Sequence, residues 1–273
     1  MLKMLFALIL LVGFILPVNV SAQSRNVWID GDHGRLAAVV QTPDNLKNFP
    51  LVIICHGFTG CKNEFLIAQI AEDLEERGIA SIRFDFNGHG KSDGRFEDMT
   101  VVNEIEDARH VYEYAKNLRG VTSVSMAGHS QGGVVTSMLA GQLGAKNIKA
   151  IALMAPAAVL RDNARAGEVL GFSCDPVNPP EYVEIFRGIK IGRNYIKTAQ
   201  TLQIYETAAK YQGPALIVHG TADPIVPYGY GYRYHDIYRN SRIEILNGFD
   251  HSFTQNTPHI SEIVADFFAD QLR

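Results

Sequence analysis

A serine set between an apolar strand and an apolar helix, with a glycine two residues to either side, constrains this chain more than any other feature. The stretch covers residues 121–133, VTSVSMAGHSQGG. Residues 121–126 read as a short strand, and an apolar helix starts near Gln131, with Gly128-His129-Ser130-Gln131-Gly132 at the turn between them. A serine at so sharp a turn is held in a strained backbone with its hydroxyl presented, and the glycines relieve the crowding. The helix that follows aims free N–H groups at any negative charge developing beside that hydroxyl. The pattern predicts a nucleophile, Ser130, at the carboxyl end of a strand.

The pentapeptide alone does not decide the matter, because Gly90-Lys91-Ser92-Asp93-Gly94 matches it too. That copy leads into the polar residues 95–100 and not into an apolar helix, so Ser92 reads as a loop residue. The same segment fails as a phosphate-binding loop, since the first glycine of that motif would fall on Asp85.

Residues 50–55 form a continuous apolar run, as expected of a strand buried on both faces. Residues 79–84, 148–154, 215–219 and 243–246 read as further strands, and 26–30 with 35–42 as an opening hairpin. Helices are expected over residues 64–77, 101–118 (with its charges on one face), about 229–239 and about 258–271. This alternation implies an α/β fold with a mostly parallel central sheet and helices on both faces. One connection breaks the rhythm. Residues from about 156 to 212 far exceed an ordinary crossover loop of about 2–6 residues, and they are rich in aromatic residues and prolines. An insertion at a strand's carboxyl end lies over the active-site edge of such a sheet, so it reads as a cap or lid.

The first 22 residues carry one early charge, Lys3, then an apolar run from Met4 to Leu16, then Ser21-Ala22. This is the pattern of an export signal cleaved after Ala22. The apolar run is short for a membrane span of about 20 residues, and no lipid-accepting cysteine follows the cut. The expectation is a secreted or periplasmic protein without a stable membrane anchor, its domain covering residues 23–273. A formal net charge of −4 gives no sign of nucleic-acid binding. Three cysteines, Cys55, Cys61 and Cys174, do not make a disulfide framework, although Cys61 and Cys174 could pair. No cluster at metal-ligand spacing occurs, so no metal and no cofactor are expected.

Ser130 needs a base, and the base needs an orienting acid, in the chain order serine, acid, histidine. Four histidines follow Ser130. His219 precedes every plausible acid, His235 and His259 fall on or beside helices, and His251 alone sits in a loop after the last strand. Asp223 follows the strand ending at His219, whereas Asp162 and Asp175 lie in the insertion and Asp236 on a helix. Ser130, Asp223 and His251 are the expected catalytic set. The oxyanion donors are expected to be the backbone N–H groups of Gln131, next to the nucleophile, and of Phe58, in the loop after the third strand. His129, at the variable position of the motif, is ambiguous in the sequence between a packing residue and one with a direct role.

Together these residues are similar to those of α/β-hydrolases, and more narrowly the chain resembles the bacterial feruloyl (cinnamoyl) esterases of that superfamily. The resemblance rests on His56-Gly57-Phe58-Thr59-Gly60, the loop from Asp85 to Ser92, the Ser130 motif and Ala155-Pro156-Ala157-Ala158. It continues through Gln203-Ile204-Tyr205-Glu206, His219-Gly220-Thr221-Ala222-Asp223 and Asp250-His251-Ser252-Phe253. The resemblance implies hydrolysis of small hydroxycinnamoyl esters, such as those of plant cell walls, under an inserted cap. It also implies that Tyr195 and an acid near the start of the insertion bind the phenolic hydroxyl. Asn163 occupies the acid's place, with Asp162 beside it. A short-chain esterase or lipase, or a serine peptidase of the same fold, would share the catalytic residues. A binding protein without activity is the alternative of another class.

Overall fold

The structure, a computed structural model, describes residues 22–44 and 46–272. The expected export signal, residues 1–22, lies outside the described residues apart from Ala22, where the first strand begins. Strands β1 (Ala22–Gly31) and β2 (Gly34–Pro43) form an antiparallel hairpin. It runs past its apolar stretch, because main-chain pairing at a sheet edge needs no buried side chain: Ser24, Arg25 and Asn26 are exposed. There follow β3 (Phe49–Cys55), α1 (Phe65–Glu76), β4 (Ala80–Phe84), α2 (Val101–Lys116), β5 (Val121–His129), α3 (Gln131–Leu143) and β6 (Ile148–Met154). The insertion comes next, with four strands and three α-helices of its own, and the chain closes with β11 (Ala215–Gly220), α7 (Gly229–Ile237), β12 (Ser241–Leu246) and α8 (Thr257–Gln271).

The eight-stranded sheet has the order β1-β2-β4-β3-β5-β6-β11-β12. Strand β2 runs antiparallel to both neighbours, and every pairing from β4 to β12 is parallel. The apolar run of β3 explains its central place. Leu51, Ile53 and Cys55 join one core with Ile105, Val111 and Val134, while Val52 and Ile54 join the other with Ile70, Val264 and Phe268. Each aliphatic side chain so buried contributes about 1.5–3 kcal/mol.

Not all of the charges on helix α2 face solvent: Glu104 and Asp107 are buried. Each meets polar groups from neighbouring elements. Asp107 accepts the backbone N–H groups of Asp32 (2.9 Å) and Asn87 (2.8 Å), tying the first hairpin to the loop after β4. That loop is built around buried Asp85, which pairs with Lys62 and accepts the Lys91 amide at 2.9 Å. Ser92 is part of the same scaffold, its hydroxyl accepting from the Ala37 amide (2.8 Å) and donating to the Asp85 carbonyl (2.5 Å).

The insertion contains α4 (Val159–Ala166), two small hairpins, β7 (Glu168–Val169) with β8 (Phe172–Ser173) and β9 (Tyr182–Glu184) with β10 (Lys190–Gly192), then α5 (Arg193–Thr201) and α6 (Ile204–Ala208). Helices α4 and α5 form its neck. Gln200 donates to the Ala164 carbonyl (3.0 Å) and Arg165 to the Gln200 carbonyl (2.8 Å). Helix α6 then carries the chain down against α3, where a β-carbon on Gly141 would lie 2.0 Å from the Thr207 carbonyl oxygen. All three cysteines are free, so Cys61 and Cys174 are not paired. No helix of the described residues is long and apolar enough to cross a membrane.

Candidate active site

Ser130 joins β5 to α3 with φ +56° and ψ −120°, a backbone conformation that non-glycine residues rarely adopt. The flanking glycines have a steric cause. A β-carbon on Gly128 would lie 2.1 Å from the Gly132 carbonyl oxygen, and one on Gly132 would lie 2.3 Å from the His56 carbonyl oxygen. The turn closes against the end of β3 only because both side chains are absent.

Three side chains from three loops converge there. His251 Nε2 lies 2.9 Å from Ser130 Oγ, and His251 Nδ1 lies 2.7 Å from Asp223 Oδ2. An ionised carboxylate can only accept, so Nδ1 carries the proton and Nε2 is left to accept from the serine hydroxyl. Burial alone would raise the Asp223 carboxyl, but hydrogen bonds from His219 and His251 outweigh it and hold the group well below the usual carboxylate range. Its other oxygen accepts the amides of Ile225 and Val226, both at 2.8 Å.

Two further histidines brace this set. His219, which the chain order had set aside, is fully buried and brings Nε2 within 3.2 Å of Asp223 Oδ2 and 2.9 Å of the Val226 carbonyl. His129 donates from Nε2 to the His251 carbonyl at 2.9 Å. Burial, then the neighbouring His251, lowers the His129 pKa to about 4, so the ring is neutral and serves as a fixed donor. Its placement depends on a contact 122 residues away, which no local pattern could reveal. The His219–Asp223 spacing of four residues was the one visible hint.

The three loops open into a cavity of about 620 Å³. Phe58 and Gln131 lie on its wall beside Ser130. Gln131 is the first residue of α3, where backbone N–H groups have no partner within the helix. The insertion supplies a mostly apolar roof, including Leu160, Val169, Leu170 and Phe186. Asn163 is on the wall. Asp162 is engaged elsewhere: Tyr230 donates to it at 2.8 Å, and Arg161 and Arg233 lie nearby, so it is not a wall residue. Tyr195 lines the cavity, but its buried hydroxyl donates to Gln131 Oε1 at 2.8 Å. The Gln131 side-chain nitrogen, Nε2, in turn donates to Glu104 at 2.8 Å. Burial pushes the Glu104 carboxyl up to about 8. Tyr195 is thereby a tie between the insertion and the residue that follows Ser130, a role the expected phenol contact did not include.

Residues 50–170 match the model of the alpha/beta hydrolase fold. Est1E from Butyrivibrio proteoclasticus, in a structure with ferulic acid bound, superposes with a TM-score of 0.87 at 39% identity, covering 90% of this chain and 98% of that one. The chain belongs to the α/β-hydrolase family. Among curated relatives, an uncharacterized 31.7 kDa protein of Escherichia coli is 32% identical over 100 residues, which is 36% of this chain and 35% of that protein. Lysophosphatidylserine lipase ABHD12 of Rattus norvegicus is 23% identical over 81% of this chain and 56% of its own length. The chain thus spans only about a third to a little over half of the length of these curated relatives.

Proposed function

We propose that this α/β-hydrolase is a serine esterase that cleaves hydroxycinnamoyl-type carboxylic esters. The observation that carries the reading is the hydrogen-bonded series Ser130–His251–Asp223 opening into an apolar-roofed cavity. In this scheme Ser130 Oγ attacks the ester carbonyl carbon while His251 Nε2 takes its proton. The oxyanion is held by the Phe58 and Gln131 amides, and Asp223 stabilises the imidazolium. His251 then hands the proton to the departing alcohol, leaving an acyl-Ser130 ester. A water repeats the sequence, releasing the acid and restoring Ser130.

The flat aromatic acyl group suits the roof of Leu160, Val169 and Leu170, and the ferulic acid bound by Est1E supports that choice. Methyl ferulate assayed beside p-nitrophenyl acetate and butyrate tests it. The wild type should favour the ferulate, and Ser130→Ala should lose several orders of magnitude in kcat on all three. Preference for the butyrate would point to a short-chain esterase instead. Export belongs to the same proposal, supported by Lys3, the apolar run and Ser21-Ala22. Mass spectrometry of protein from its native host should find Gln23 at the mature N-terminus; an intact Met1 would refute it.

A further inference from the structure

Glu64 has no part in the chemistry above, yet it lines the same cavity as Ser130. It stands half-buried at the start of α1, and its carboxyl makes no cap to the helix. Among the described residues it has no side-chain hydrogen bond and no ion pair. It lies against the turn that carries Phe58: a β-carbon on Gly60 would sit 2.8 and 2.9 Å from its two carboxyl oxygens. Burial pushes this carboxyl up to about 7. A second cavity of about 350 Å³ begins on the same turn, sharing Thr59 with the first, and its wall includes Gly60, Glu97 and Lys190. The cavity wall is therefore mostly apolar under the insertion and polar at Thr59 and Glu64.

An ester bound for attack has two ends. With the carbonyl oxygen at the Phe58 and Gln131 amides, the acyl and alcohol portions leave the carbonyl carbon in different directions, and two differing walls are ready for them. We propose that Glu64 determines specificity for the alcohol portion of the ester. It accepts a hydrogen bond from a hydroxyl of that alcohol, and the second cavity receives the rest of a polyhydroxylated group. The inference rests on the esterase reading. An unpaired, half-buried carboxyl lacks a donor, and a substrate hydroxyl supplies one in a charge-assisted bond stronger than a neutral one. A simple alkyl alcohol leaves the carboxyl unpaired, and an anionic one is repelled.

The test compares kcat/KM for the glyceryl and methyl esters of ferulic acid. The wild type should favour the glyceryl ester, and Glu64→Ala should reduce the glyceryl-to-methyl ratio by at least about tenfold. The wild-type ratio should also rise as pH passes through about 7 and the carboxylate forms. With Glu64→Gln the ratio should be flat. The other ionisable groups facing the first cavity are His129, Glu168, Tyr195 and His251, those facing the second are His89, Glu97 and Lys190, and Lys62 is occupied by Asp85. The first set acts on both esters and cancels in the ratio, and any pH dependence from the second set persists in Glu64→Gln, so a flat Glu64→Gln profile assigns the titration to Glu64. A ratio unchanged by both substitutions overturns the proposal. So does a penalty that follows the phenolic hydroxyl, seen by comparing methyl ferulate with methyl cinnamate. Failure of the wild type to hydrolyse any ester overturns the esterase reading and this inference with it.

Discussion

Gly132→Ala tests whether the tight turn at Ser130 matters for the reason its sterics suggest. The added β-carbon would meet the carbonyl oxygens of His56 and Cys55 at 2.3 and 2.4 Å, where ordinary contact begins at 3.4 Å. Both obstacles are backbone, so relief requires α3 and the end of β3 to separate by about an ångström. Overpacking of this kind costs about 1–3 kcal/mol. At about 2–4 °C per kcal/mol for a domain of this size, Tm should fall by roughly 2–12 °C. Activity should suffer more. Phe58 lies two residues beyond His56, and a displacement of that size moves its amide out of the window of about 2.7–3.1 Å that oxyanion stabilisation needs. Misplacement of about 1 Å can lower turnover about a hundredfold. Calorimetry and methyl ferulate kinetics on the folded variant measure both effects. Gly229→Ala is the control, because a β-carbon there meets nothing within 4 Å. A Gly132→Ala protein with wild-type Tm and turnover within twofold would refute the steric account.

Ser92→Ala removes a hydroxyl that bridges the Ala37 amide and the Asp85 carbonyl, so it should lower Tm by several degrees while turnover stays within about tenfold; complete loss of turnover in a folded protein would move the nucleophile to the wrong motif. Tyr195→Phe strands Gln131 Oε1 at a cost of about 1–3 kcal/mol, and should slow esters with and without a phenolic hydroxyl alike. A loss confined to phenolic esters would return Tyr195 to the substrate. Glu104 is held up to about 8 by burial, against an ordinary 4.5, so the folded chain forgoes its ionisation between those values and stability falls as pH rises across them. Glu104→Gln should therefore gain on the wild type by up to about 1.4 kcal/mol per pH unit in that window, read from urea midpoints; parallel stability curves would contradict this.

The sequence was most legible where one residue's surroundings are supplied by its own strand and turn. The apolar run of β3, and Gly128 crowded by the Gly132 carbonyl of its own turn, needed no distant partner to be understood. Asp223 and His251 could be found because each follows a strand and the family order limits the choice. Legibility ended where burial comes from elsewhere in the chain. Glu104 reads as part of a charged helix face until Gln131 and Tyr195 are laid over it. His129 takes its meaning from a carbonyl in the His251 loop. Asp162 sits next to the place implied by the resemblance, but Tyr230, far along the chain, has taken its carboxylate. The small hairpins β7–β8 and β9–β10 are too short to leave a periodic signal.

The neck between α4 and α5 has a bearing on how such a chain can change. Residues 167–192 hang from it as a loop whose ends are already clasped by Gln200, Ala164 and Arg165. Closing a longer loop costs little, about 0.6 kcal/mol for each doubling of length. Insertions and deletions in that stretch can therefore reshape the roof over the cavity, through Val169, Leu170 and Phe186, without shifting the register of the strands that carry Ser130, Asp223 and His251. The roof over the cavity and the three residues beneath it are thus exposed to mutation separately, and among descendants of this chain the two can vary at different rates.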